Sequence, residues 1–205
     1  MEYRLRPLEY NSLKGRIGEQ LARSFVRNKL AAKLVKEENW NHVLLSTNDY
    51  KQHSWTLNTK LFKFDNFRED FIVHGFCAST KLLSKYAFIA GILLRNHCTP
   101  DGLLLKLRET GKKVSIKQAD CPAITKLRAT HPKNHKDSLT LPFVDGDLEV
   151  LEIKCGRNAK LMDKQKETYN SLIAKGVPLR MIKVRIVSFD LNRFLIEETK
   201  YERFL

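Results

Sequence analysis

The sequence predicts an α/β domain with a mixed central β-sheet flanked by helices. Two patterns carry this expectation. In the last third of the chain, a two-residue alternation, a helical stretch and a second alternation follow one another, the order of a crossover unit that joins parallel strands. Earlier, residues 12–35 and 79–97 place apolar side chains at helical spacing. Length and composition agree: 205 residues, 42% of them hydrophobic and 29% charged, suit one folded domain with one substantial core.

Taken in order, Asn11 or Ser12 is placed to cap a first helix in which Ile17, Leu21 and Phe25 recur at every fourth position. Residues 42–46, apolar at Val43, Leu44 and Leu45, read as a strand, with Asn48 and Asp49 as a turn. A second helix is expected over 79–97, where Leu82, Leu83, Tyr86, Ile89, Ala90, Leu93 and Leu94 share helical spacing despite Gly91. The breaker cluster Thr99-Pro100-Asp101-Gly102 leads into a strand over 103–107 and a turn near Gly111. Nine basic residues against two acidic ones between 106 and 136 mark a basic, partly irregular excursion. Asp145-Gly146 reads as a turn before a strand over 147–155. Along that strand Leu148, Val150, Glu152 and Lys154 alternate with Glu149, Leu151, Ile153 and Cys155. Asn158 is a candidate cap for a helix over 159–175 ending at Gly176, and 180–187 alternates again through Ile182, Val184 and Ile186. One domain over 1–205 is expected, with insertions at about 50–97 and 106–140.

The charge balance is unusual. Lys and Arg number 37 against 23 Asp and Glu, leaving +14. Such an excess favours a polyanionic partner, nucleic acid first, because each cation that neutralises a phosphate releases a condensed counterion. The longest apolar run, residues 87–94, is too short to span a bilayer, and the first residues lack a signal-peptide core, so an intracellular protein with no membrane partner is expected. Cys77, Cys98, Cys121 and Cys155 are scattered without a Cys-x-x-Cys, which disfavours a zinc site or a disulfide framework.

Among three Asp/Glu-x-Lys triplets, only Glu152-Ile153-Lys154 lies inside an apolar alternating strand. A two-residue step puts both side chains on one face, roughly 6.5–7 Å apart along the strand. Charges on a half-buried face are costly unless paired or bound to a metal. Asp101, at the entrance of a neighbouring strand, would complete a hard-cation site: two carboxylates, a backbone carbonyl and waters are what Mg²⁺ prefers. The metal would acidify a bound water, and the Lys154 ammonium would offset charge developing on a phosphorane, which is phosphodiester hydrolysis.

Pro100-Asp101 followed by Glu152-Ile153-Lys154 resembles the PD-(D/E)XK nuclease superfamily. Gly15-Arg16-Ile17-Gly18-Glu19 is similar to the glutamate-bearing first helix of archaeal Holliday-junction resolvases and archaeal spindle-shaped-virus nucleases, and Lys164-Gln165 falls where many members carry a Gln or Lys. Gln165 also stands on an otherwise apolar helix face with Leu161, Tyr169 and Leu172. The resemblance implies a restriction-endonuclease-like fold and a Mg²⁺-dependent DNA endonuclease, Mn²⁺ substituting. Its catalytic residues would be Asp101, Glu152 and Lys154, helped by Glu19 and Gln165. The metal would be held by Asp101, Glu152 and the Ile153 carbonyl, with Glu19 acting through water. Lys112, Lys113, Lys117, Lys126 and Arg128 would touch DNA. A homodimer acting on branched DNA is implied, in a host-cell cytoplasm if the source is viral. A restriction-type enzyme on linear duplex and a non-catalytic DNA-binding protein are the alternatives.

Overall fold

A computed structural model of the protein describes residues 7–47, 75–117, 138–156, 158–188 and 193–204. A helical run opens the chain: α1 (Pro7–Phe25), a π-helical turn (Val26–Leu30) and α2 (Ala31–Glu37). Strand β1 (His42–Thr47) follows, then the short β2 (Cys77–Ala78) and α3 (Thr80–Arg95). Two long strands, β3 (Gly102–Lys117) and β4 (Ser138–Cys155), precede α4 (Asp163–Ile173), β5 (Leu179–Ser188) and β6 (Arg193–Tyr201). The sheet is mixed, in the order β1-β3-β4-β5-β6, with β2 beside the early part of β4. Neighbours run antiparallel except β4 with β5 and β2 with β4, so β4-α4-β5 is the parallel crossover unit that the two alternations predicted.

The alternation along β4 divides the core. Leu148 and Val150 join α3 and α4 on one side of the sheet, while Leu151 and Ile153 join the first helical run on the other. That run buries Gly18, Ala22, Val26, Leu30 and Leu34, and Ile17, Leu21 and Phe25 flank this stripe. A strict four-residue repeat drifts around an α-helix of 3.6 residues per turn. The wider π turn takes up part of that drift and keeps the stripe facing the sheet.

Several boundaries differ from the sequence reading, each for a physical reason. Asp145-Gly146 is no turn; both lie inside β4, opposite Arg108 and Leu107. The glycine serves close backbone approach, since a Cβ there would lie 2.0 Å from the Lys106 carbonyl oxygen. Gly111 does not end β3 either: its positive φ of 77° sits in a bulge between Glu109 and Lys113, after which pairing with β4 resumes. The expected excursion is therefore ladder up to Lys117, and 118–137 lie outside the described residues. Helix α4 starts later than expected, capped at Met162 and not at Asn158. Ser79 does cap α3, its Oγ accepting from the Leu82 amide at 3.1 Å and donating to Asp145 at 2.7 Å. From the expected insertion at 50–97, α3 packs in the main core, and the turn at Asn48 and Asp49 lies outside the described residues.

Candidate active site

The β3–β4 ladder ends at Gly102 opposite Leu151, and the last residues of β4, past that rung, carry the charged pair. Glu152 is 3% exposed, yet its carboxylate is well supplied with donors. The Lys154 ammonium lies 2.6 Å from Oε1, and the Gln165 side-chain amide donates to the same oxygen at 3.0 Å. The Tyr169 hydroxyl donates to Oε2 at 2.6 Å. Gln165 Oε1 accepts from Lys154 Nζ at 3.4 Å and from the Met162 amide at 3.1 Å, so one side chain both caps α4 and holds the Glu152–Lys154 pair. That double duty is why a polar residue occupies the inner face of the helix.

Asp101 approaches from the other strand. Its Oδ2 accepts the Ile153 amide at 2.6 Å. Burial comes first in pushing its carboxyl up to about 7, then the negative charge of Glu152, with Glu19 adding to it; the Ile153 hydrogen bond and Lys154 oppose the rise. Three carboxylates therefore address one end of the sheet, and only one of them is paired with Lys154.

Backbone geometry frees an oxygen at the same place. Along β4 the amides of Val150 and Gly156 donate toward the β5 side, so the odd-numbered residues turn their peptide groups toward β3. The β3–β4 ladder ends at Gly102 opposite Leu151, so Ile153 lies past its last rung. Pro100, just before β3, has no amide hydrogen with which to extend the ladder, and the Ile153 amide is taken by Asp101.

Glu19 arrives on α1, which crosses β4 closely enough that a Cβ on Gly18 would stand 2.4 Å from Cys155 Sγ and 2.6 Å from its Cβ. Gly18 is thus the contact that seats the helix, and Glu19 is the next residue along. It pairs with the buried Arg23 one turn on.

The donor set, two carboxylates with a third nearby and a ladder-free carbonyl, fits a hard divalent cation in chemistry. It is not a finished cage: among the described residues no group of three or more His, Cys, Asp or Glu side chains is arranged to hold a metal ion. Of the expected DNA contacts, Lys112, Lys113 and Lys117 are exposed on β3, whereas Lys126 and Arg128 lie outside the described residues.

Sequence reasoning missed two groups behind the site. Tyr169 is fully buried, and burial first, then the Glu152 charge, drives its hydroxyl far above the ordinary tyrosine range, which keeps it a donor. Cys98, buried and raised by burial, shares a hydrogen bond with that hydroxyl. The signal for Tyr169 was its place one turn after Gln165, where it read simply as an apolar neighbour.

No helix among the described residues is long and apolar enough to cross a membrane. Comparison of the chain with known family models, curated proteins and solved structures finds no match.

Proposed function

We propose that this protein is a metal-dependent DNA endonuclease of the PD-(D/E)XK type, hydrolysing phosphodiester bonds on a restriction-endonuclease-like sheet inside the cell. The observation that carries the reading is the meeting of Asp101 with the Glu152-Lys154 pair at one end of β3 and β4. Asp101, Glu152 and the Ile153 carbonyl would hold Mg²⁺ or Mn²⁺, with Glu19 reaching it through water. The cation would supply a polarised phosphodiester oxygen and an acidified water. Lys154 brings a positive charge to the negative phosphorane, and Gln165 with Tyr169 fixes the carboxylate that Lys154 leans on. The +14 charge supports DNA as the substrate. Branched DNA and a homodimer follow from the resemblance to resolvases.

A second reading has one observation in its favour: both Glu152 oxygens are already engaged, as suits a non-catalytic DNA-binding protein whose charges are self-satisfied. A cleavage assay separates the two, using a labelled four-way junction, matched linear duplex and single strand, each with Mg²⁺, Mn²⁺ or EDTA. Metal-dependent cutting is expected, strongest on the junction, with Asp101→Asn and Lys154→Ala slower by roughly 100-fold or more. Binding without cutting in either metal would overturn the nuclease reading and favour the second. Preference for linear duplex would keep the chemistry and replace a resolvase by a restriction-type enzyme.

A further inference from the structure

The far halves of β3 and β4 form a two-stranded ribbon. Residues 113–117 pair with 142–138, and among the described residues no third strand joins these rungs. Directly paired residues of an antiparallel ladder share a face. One face therefore carries Lys113, Ser115 and Lys117 opposite Pro142, Thr140 and Ser138; the other carries Val114 and Ile116 opposite Leu141 and Leu139. The polar face is the more open of the two. Lys113, Ser115, Lys117, Ser138 and Thr140 are exposed and Pro142 is half-buried, whereas on the other face Leu141 is buried, Ile116 and Leu139 are half-buried, and Val114 alone of these four is exposed, at 36%.

We infer that this ribbon is a duplex-DNA-binding arm that enters the major groove with its lysine and hydroxyl face against the phosphates. The inference rests on DNA as the substrate class and is independent of cleavage. A B-form major groove is about 12 Å wide and admits a two-stranded ribbon. The paired rungs extend about 14 Å, enough to follow several base pairs. Lysines and hydroxyls are the side chains that take phosphate oxygens, and such contacts fix register without reading sequence. Among the described residues of these rungs no carboxylate stands on the outward face to repel the backbone. The even-numbered face of β4 that carries Thr140 and Ser138 is also the one that carries Glu152 and Lys154 further along, so the arm continues the catalytic side of the strand.

The test measures binding of the full chain to a fluorescent duplex in EDTA, at several salt concentrations. The variants are Lys113→Ala/Lys117→Ala and, as a charge-matched control, Lys33→Ala/Lys36→Ala on α2, all four lysines being exposed. The ribbon pair is expected to weaken binding about tenfold and to lower the salt dependence by nearly two counterions, at about 0.9 per phosphate contact. The control pair is expected to change affinity and salt slope far less. An equal loss in both pairs, or no loss in the ribbon pair, overturns the arm. So does equal affinity of wild type for duplex RNA with the same ribbon penalty, because the A-form major groove is too deep and narrow for such entry. Wild-type protein that binds no duplex overturns it as well. A selective ribbon penalty together with failure to cleave in Mg²⁺ upholds the arm and removes only the nuclease reading.

Discussion

Asp101 is a carboxylate held where its charge is unwelcome. Its folded value of about 7 stands above the ordinary 3.8, so the native state holds the proton more tightly than the unfolded chain does. The stabilisation this gives is fully present below about pH 4 and is lost as pH rises through 7. Above that pH the protein keeps a half-buried negative charge beside Glu152 at a cost. In EDTA at pH 8, Asp101→Asn is expected to raise stability by about 2 kcal/mol, a melting-temperature gain of roughly 4–8 °C, with the gain vanishing near pH 4. Mg²⁺ is expected to raise the melting temperature of the wild type at pH 8 and to leave the Asn variant unmoved. Melting curves at the two pH values decide this; a variant less stable than wild type at pH 8 would mean that Asp101 is structural. This residue was legible in the sequence only as half of a pattern. Pro100-Asp101 gains its meaning from Ile153, whose amide Asp101 accepts and whose carbonyl lies past the last rung of the β3–β4 ladder, and that contact is long-range.

At the level of elements, periodicity located the helices and strands but not the line along which they touch. Ile17, Leu21 and Phe25 form the most hydrophobic row of α1, yet the centre of contact is Gly18, Ala22 and Val26, because small residues let a helix sit close to a sheet. Likewise Asp145-Gly146 has the local chemistry of a turn, and only the Lys106 carbonyl across the ladder explains the glycine. Both cases have one cause: a glycine chosen for a close neighbour, a side chain at Gly18 and a backbone at Gly146, looks in sequence like a glycine chosen for its own backbone. The strand pair Glu152 and Lys154 was legible because alternation alone puts both on one face, whereas Tyr169 was hidden by its hydrophobic body. Gly18→Ala tests the seating of α1. Its methyl would meet Cys155 Cβ at 2.6 Å, so a loss of about 1–3 kcal/mol is expected by denaturant unfolding, together with slower cleavage as Glu19 is displaced. Adding Cys155→Gly is expected to recover part of the stability. If Gly18→Ala unfolds at the same denaturant concentration as wild type, the close crossing is wrong.

Across the whole molecule, the fully buried Glu149 supplies a contrast to the half-buried Asp101. Glu149 is fully buried on the opposite face of β4, and cations from three strands converge on it. Lys106 of β3 lies 2.7 Å from Oε1, Arg180 of β5 donates to Oε2 at 2.7 Å, and Lys200 of β6 stands 3.6 Å away. Arg180 also pairs with Glu198 of β6. Burial alone would raise the Glu149 carboxyl, but the hydrogen bond and charge of Arg180, then those of Lys106, hold it below its ordinary 4.5. The sign is therefore opposite to that of Asp101: the stabilisation is present above about pH 4.5 and is lost as pH falls through the lower folded value. Glu149 is built to be charged and ties four strands together. Asp101 is left under-compensated at the sheet end, and such a cost is tolerated at functional sites. Glu149→Gln is expected to lose about 3–5 kcal/mol at pH 7, because two buried cations lose their partner, while folded protein keeps its cleavage rate. At pH 3 the loss is expected to shrink, since the wild-type carboxylate is by then giving up its advantage. Urea unfolding at the two pH values reads both, and an equal loss at pH 3 and pH 7 would mean that Glu149 acts through shape and not through charge.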